Sequence, residues 1–500
     1  MELLDQILGG FQTAISPVNL TYCFVGVLLG TVIGLLPGLG SATGVAILLP
    51  LTLALEPVTA LIMLAGIYYG TQYGATISSV LISTPGDSAT VVTTLEGYQL
   101  ARKGRAGPAL AIAAIASFLA GTISIILLMT LAPLFARFAL SFGPPETVAL
   151  MTLGIAGVIG FTGSSQAKGL AMAAFGLAIA TIGMDLQTGV SRFTFGSVQL
   201  LGGIGFLQVI IGLFAVAEVM SQVRGGGSEP IRTRFREMLL TWEDWRRSWM
   251  AIVRGGFLGF FMGVLPGAGA TLASFFSYDI ERRFSHHKEE FGKGAIEGVA
   301  GPEAANNAAV NGAFVPTLTL GIPGSGTTAV LLGAFLLFGI QPGPLLLEQQ
   351  PDLVWGLIAS FYIGNLILLV LNLPLAPAFA SILRLHYGIL YPLILFLSFI
   401  GAYAIENRLW GVWLAFAFGV IGYFMKRYDY PAAPLILGLI LGGLLEEALI
   451  QTSSISGGDF TIFLTRPIAL VLFALAALIV LGPFIARGVR HLSRGAAGEL

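Results

Sequence analysis

The chain has 500 residues, of which 56% are hydrophobic and 10% charged, with a mean hydropathy of +0.87 and a formal net charge of −1. Soluble domains carry about 25% charged residues, so this balance excludes an ordinary soluble protein, and the near-neutral charge leaves no basic footprint for nucleic acid. A single cysteine, Cys23, excludes an intrachain disulfide, and no HExxH or CxxC pattern offers a metal site.

The first residues, Met1-Glu-Leu-Leu-Asp5, lack a basic segment, so no cleavable signal peptide is expected. From about residue 15 the chain is apolar. Gly26, Gly30 and Gly34 recur every fourth residue on a predicted helix that runs into Pro37-Gly38-Leu39-Gly40. A second break, Ser83-Thr84-Pro85-Gly86-Asp87, precedes a basic loop with Arg102, Lys103 and Arg105. Apolar runs follow at 108–136 and 199–217, and then an Arg-rich polar stretch from Gln222 to Arg247 reads as a solvated linker with a short amphipathic helix. Beyond it the glycine ladder returns as Gly255, Gly259 and Gly263, and runs into Pro266-Gly267-Ala268-Gly269. The offset is constant at 229 residues, 26 against 255 and 37 against 266. After a polar insertion at 281–298, Gly321-Ile322-Pro323-Gly324-Ser325 answers the second break. The remaining apolar runs are 353–382, 387–404, 432–445 and 467–486. Several reach the roughly 20 residues that cross a bilayer core. A β-barrel would show alternating segments of about ten residues, and these are absent.

The fold class expected is therefore an all-α polytopic membrane protein built from two homologous repeats with Pro-Gly-interrupted, discontinuous or re-entrant helices. The first repeat covers 15–221, a cytoplasmic linker 222–248, the second repeat 249–450. Residues 451–500 hold a loop, a final transmembrane helix and a basic cytoplasmic tail. Equivalent loops differ in basic charge. The 101–107 loop is basic and its counterpart near 337–343 is not, whereas the 281–298 loop is basic and its counterpart at 53–57 is not. Loops on opposite sides of the membrane would differ in this way, which is the mark of an inverted repeat. Basic loops place the C-terminus in the cytoplasm.

Proline removes a backbone donor, and bare backbone at membrane depth is tolerated only beside protein or a water-filled cavity. The four breaks should thus face one polar interior. A helix restarting there presents N–H groups to an anion, and the hydroxyls beside it donate without adding charge. The candidate substrate-binding residues are Gly38, Gly40, Ser41 and Thr43 at the first break; Tyr73 and Gly74 before the second; and Ser83, Thr84 and Gly86 within it. In the second repeat they are Gly267, Gly269 and Thr271, then Gly324, Ser325, Gly326, Thr327 and Thr328. Each hydroxyl has an alternative role as a helix cap. Glu303, Asn307 and Asn311 share one helix face, as substrate or ion contacts or as interhelical glue. Asp87, Asn306 and Glu303 are the candidates for a coupling cation, Asp87 having the alternative of an N-cap.

Gly34-Leu-Leu-Pro-Gly-Leu-Gly40, Tyr68-Tyr-Gly-Thr-Gln-Tyr-Gly74, Thr84-Pro-Gly-Asp87 and Gly263-Val-Leu-Pro-Gly-Ala-Gly269 resemble the large membrane subunit of tripartite tricarboxylate transporters, the TctA family. So do Glu303-Ala-Ala-Asn-Asn-Ala-Ala-Val-Asn311 and Gly321-Ile-Pro-Gly-Ser-Gly-Thr-Thr328. The resemblance implies a secondary active permease of the bacterial inner membrane that imports tricarboxylates or related, citrate-like carboxylates. It implies coupling to a Na⁺ or H⁺ gradient and no cofactor. It also implies two partners, a small membrane subunit and a periplasmic solute-binding protein. The alternatives are a passive anion channel, for which no ring of charge is visible, and an intramembrane enzyme. Tyr278-Asp279 and Tyr428-Asp429 lack the Gly-x-Gly-Asp partner that an intramembrane aspartyl protease requires, and there is no Gly-x-Ser-x-Gly elbow.

Overall fold

A computed structural model describes residues 2–161, 165–185, 189–222, 231, 237–381 and 387–496. Most of the Arg-rich stretch, 223–230 and 232–236, lies outside them, as does the end of the tail, 497–500.

In chain order the helices are α1 (Glu2–Ala14), α2 (Pro17–Leu35), α3 (Gly40–Leu48), α4 (Pro57–Ile82), α5 (Val91–Leu100), α6 (Ala106–Ala139), α7 (Pro144–Phe161) and α8 (Gln166–Ala180). Two-residue strands β1 (Gly183–Met184) and β2 (Ser191–Arg192) pair antiparallel. Then come α9 (Phe206–Ile210), α10 (Ala217–Gln222), α11 (Trp242–Val264), α12 (Gly269–Phe284), α13 (Glu297–Leu320), α14 (Gly326–Leu337), α15 (Leu346–Gln349) and α16 (Pro351–Ala380). The last are α17 (Tyr387–Glu406), α18 (Leu409–Arg427), α19 (Ala432–Ser456), α20 (Ile462–Thr465) and α21 (Pro467–Ala496). The structure is thus all-helical apart from one short strand pair. Among the described residues five helical stretches are long and apolar enough to cross a membrane: Pro17–Leu35, Ser88–Ala139, Pro351–Phe379, Leu409–Arg427 and Ala432–Ser456.

Two places depart from the reading of the bare chain. The apolar run 199–217 is not one helix: a short 3-10 turn ends at Leu200, Gly203 turns with φ +81°, and the α-helix starts at Phe206. The polar stretch before the second glycine ladder is not separate from it either. Helix α11 starts at Trp242 under a capping box of Thr241 and Asp244 and continues unbroken through Gly263.

The helices form two compact units. One comprises residues 1–137 and 207–427, the other 138–206 and 428–500. In the larger unit, α2 lies on α4 and α11 on α13 through the glycine ladders. A Cβ on Gly30 or Gly34 would stand 2.3 or 2.2 Å from the carbonyl oxygen of Ile67 or Thr71, and one on Gly259 or Gly263 would stand 2.2 Å from that of Ala305 or Ala309. Only glycine permits so close an approach of backbones, the usual means of helix association where lipid removes the hydrophobic drive. The smaller unit uses the same device. Gly176 of α8 meets the Leu435 carbonyl of α19, and Gly160 of α7 meets Ile479 of α21. It is further tied by Arg192, whose guanidinium donates to both oxygens of Glu446 at 2.5 and 3.1 Å.

Candidate substrate site at the helix breaks

All four breaks lie in the larger unit. The first and third have the same backbone course. After Pro37, Gly38 and Gly40 take φ +78° and +64°; after Pro266, Gly267 and Gly269 take φ +82° and +57°. Side chains avoid this left-handed region, so the Pro-Gly-x-Gly spelling follows from the turn. The second and fourth also match. Helix α4 ends on left-handed Ser83 and α13 on left-handed Gly321, and the chain restarts under a side-chain N-cap, Asp87 or Ser325.

Within each half the two breaks are joined by backbone bonds. The Gly38 and Gly40 amides donate to the Pro85 and Gly86 carbonyls at 3.3 and 3.0 Å, and the Gly267 amide donates to the Gly324 carbonyl at 3.1 Å. Between halves the joining is crosswise and made by hydroxyls. Ser41 of the first break meets Thr327 of the fourth at 2.8 Å, and Ser88 of the second meets Thr271 of the third at 2.8 Å.

Asp87 is the hub. Its Oδ2 accepts from the Ser41 amide at 2.8 Å and the Ser41 hydroxyl at 2.9 Å; its Oδ1 accepts from the Ala89 amide at 3.0 Å and the Ser88 hydroxyl at 3.2 Å. The chain's own carboxylate thus occupies the start of α3, where N–H groups favour an anion. The matching start of α12 faces Ser325 instead, whose Cβ is 3.7 Å from where a Gly269 Cβ would be. Ser325 and Thr328 cap one another reciprocally. Asp87, Thr271 and Ser325 are half-buried and Ser88 is exposed, so the cluster is open on one side.

The structure therefore brings together Gly40, Ser41, Gly86, Asp87, Thr271, Ser325, Thr327 and Thr328, with Gly38, Gly267, Gly269, Gly324 and Gly326 shaping the turns around them. The other sequence candidates bond elsewhere. Thr43 donates to the Phe214 carbonyl at 3.4 Å, and Thr84 to the Ile82 carbonyl at 3.3 Å. Ser83 is a helix C-cap, and Gly74 packs on the Thr31 carbonyl. Tyr73 donates to Asn365 of α16 at 3.0 Å. Asn307 and Asn311 donate to Ser117 and Ser124 of α6, each at 2.7 Å, which is the interhelical bonding weighed for them. Glu303 is held by Thr76 and Thr93. Asn306 is fully buried with neither side-chain polar atom bonded.

Two contributors were missed. Gln72 donates to the Ser41 hydroxyl at 3.2 Å, and Tyr68 meets the Ser325 hydroxyl at 3.2 Å. Both lie one turn apart on α4, and polar side chains at i and i+4 within a buried apolar helix were the available signal.

The sequence matches the family described as "Tripartite tricarboxylate transporter TctA family" over residues 20–437. The chain belongs to the tripartite tricarboxylate transporter TctA family. It is also similar to two Agrobacterium vitis proteins. One, the "Uncharacterized 52.8 kDa protein in TAR-I ttuC' 3'region", is 48% identical over 475 residues, 95% of each chain. The other, the "Uncharacterized protein in TAR-II ttuC' 3'region", is 49% identical over 223 residues, 45% of this chain and 92% of that one. No solved structure matches the chain. TctA membership makes this a multi-pass subunit of a tricarboxylate transporter and not an enzyme, and a tripartite system implies other subunits.

Proposed function

We propose that the chain is the permease of a secondary active importer for citrate-like carboxylates, driven by a Na⁺ or H⁺ gradient. A periplasmic binding protein feeds it and a small membrane subunit assists it. The observation that carries this reading is the crosswise clasp: Ser41 with Thr327 and Ser88 with Thr271 gather four helix breaks at one open polar point. Asp87 already accepts from the Ser41 amide at the start of α3. The start of α12, with Thr271, Ser325, Thr327 and Thr328, is then the end that receives a substrate carboxylate.

The likeness of the breaks supports two repeats, 15–221 and 249–450, inverted relative to one another, with α3, α5, α12 and α14 as the half-helices after the breaks. Orientation has support as well. Three segments read as cytoplasmic are tied together: Arg105 donates to Asp244 at 2.6 Å, and Arg247 donates to Glu290 at 2.6 Å and Glu297 at 2.8 Å. One end of the larger unit thus collects basic loops from both halves, the end that the positive-inside rule assigns to the cytoplasm of a bacterial inner membrane.

The test is radiolabelled citrate uptake into proteoliposomes containing the large and small subunits, with the binding protein outside. Accumulation under an imposed cation gradient, lost when the binding protein is omitted, is the expected result. Equilibration without accumulation would instead make the protein a passive path.

A further inference from the structure

We propose that Glu303 carries a proton and is the group through which the transporter couples to a proton gradient. This deepens the importer reading and rests on it, because that reading leaves the driving cation open.

Glu303 lies on α13 and is 1% exposed. Its Oε2 is 2.7 Å from the Thr76 hydroxyl of α4, and its Oε1 is in hydrogen-bond contact with the Thr93 hydroxyl of α5. Thr76 Oγ1 is also 3.2 Å from the Gln72 carbonyl one turn back. A threonine hydroxyl has one hydrogen. In a helix that hydrogen ordinarily goes to the carbonyl four residues earlier. With Thr76 donating to the nearer Glu303 Oε2, both oxygens of the acid accept from hydroxyls, and neither hydroxyl brings a charge. A neutral carboxyl fits the same contacts, accepting from Thr93 at Oε1 and donating its own hydrogen to Thr76, whose hydrogen then goes to the Gln72 carbonyl.

The charges around it favour the neutral acid. On the elements packed against α13, the titratable groups are Tyr68, Tyr69 and Tyr73 of α4, Asp87 before α5, Glu96 and Tyr98 of α5, the exposed Arg137 of α6, and those of α11 and α12. Asp87 and Glu96 are acids already bonded: Glu96 accepts from Tyr278 at 2.6 Å and from the Gly292, Gly294 and Ala295 amides. On α11, Arg254 is paired with Glu281 of α12, and Arg247 with Glu290 and Glu297. Asp244 is paired with Arg105, and on α12 Arg283 is paired with Asp279. Glu243 and Arg246 of α11 and Arg282 of α12 are exposed, as is Glu348 of α15. Among the described residues no cation pairs with Glu303. An ionised carboxylate buried with two hydroxyls and no counter-charge would bear a large desolvation cost, whereas the protonated acid does not.

A small cavity also adjoins the Glu303 cluster. Thr76 lines it together with Tyr73, Ser117 and Asn372. Asn372 Oδ1 has no hydrogen-bond partner. Ile77, Leu110, Ala113, Ala114 and Ala376 make up the rest of its lining, so the cavity is mostly apolar with Thr76, Ser117 and Asn372 at its polar side. When the acid ionises, the carboxylate keeps both threonine hydroxyls as donors.

Two measurements test the assignment. At neutral pH the infrared spectrum of the purified chain should contain a protonated-carboxyl C=O band that E303Q removes and Thr93→Val shifts. A spectrum without that band, or a band that survives E303Q, overturns the assignment whatever the substrate. In proteoliposomes of the complete transporter at zero membrane potential, an inward gradient of about one pH unit should sustain about tenfold citrate accumulation for each proton carried. E303Q should lose that accumulation and E303D keep part of it. Accumulation by the wild type with Na⁺ alone, indifferent to the pH gradient, overturns the assignment and leaves the importer reading standing. A band that behaves as expected in a protein that moves no citrate supports the proton on Glu303 and defeats the citrate reading instead.

Discussion

At the residue scale, Asp87 shows how one carboxylate can serve both a cap and a clasp. Its four donors come from Ser41, Ser88 and Ala89, so it fixes the second break to the first before any ligand arrives. Ser41→Ala removes a donor to Asp87 and the bond to Thr327 together. Leaving such groups unsatisfied costs about 1–3 kcal/mol, so this variant should melt earlier in detergent and transport more slowly while still inserting. Unchanged uptake by Ser41→Ala would take this hydroxyl out of the site. Asn311→Ala should act differently. It removes the Asn311 bonds to Ser124 and the Gly121 carbonyl and loosens α13 from α6, so its loss should appear in thermal stability before it appears in substrate affinity. The hydroxyls after the breaks were legible in the sequence because they follow Pro-Gly directly. Gln72 and Tyr68 were not, because a polar residue in a helix gives no sign of which break it reaches across 31 or 257 residues.

Among the elements, the glycine ladders set the distance between helices. Gly30→Leu would drive a side chain into the Ile67 backbone, which stands 2.3 Å from the Cβ position. Backbone cannot yield as a flexible side chain does, so a cost above the usual 1–3 kcal/mol of overpacking is expected. Size-exclusion profiles of the detergent-solubilised variant should show aggregated protein. Gly343→Ala, whose Cβ would meet nothing within 4 Å, should elute as the wild type. Helix ends at Pro-Gly were readable from the chain because proline and positive-φ glycine act locally. The start of α11 was not. Thr241 and Asp244 form a capping box, but the charges around it read as loop, and only burial of Asp244 against Arg105 shows that the helix continues there.

For the whole molecule, the basic end of the larger unit is tied by ion pairs between its loops and α11. The Arg247 guanidinium beside Glu290 holds that carboxyl below its ordinary value of 4.5. A lowered folded-state value means that the pair adds stability above the ordinary carboxylate range and loses it as the pH falls through the lowered value. Arg247→Gln should therefore reduce stability at neutral pH and flatten the acid limb of the melting profile, measured by thermal unfolding between neutral and acidic pH. Membrane class and family could be read from composition and motifs. The two compact units could not, because each is built from two segments that are apart in the chain: 138–206 joins 428–500, and 1–137 joins 207–427.

The crosswise clasp also bears on how the protein is made. Ser41 and Thr327 are 286 residues apart, and Ser88 and Thr271 are 183 apart. During synthesis the first two breaks enter the bilayer with their hydroxyls and bare backbone unanswered, and they stay so until the second half has been inserted. The clasp is thus among the last features of the molecule to form, and until then the half-built chain carries its polar groups unpaired. Nascent chains of graded length should become protease-resistant only once Thr327 has cleared the ribosome and entered the membrane.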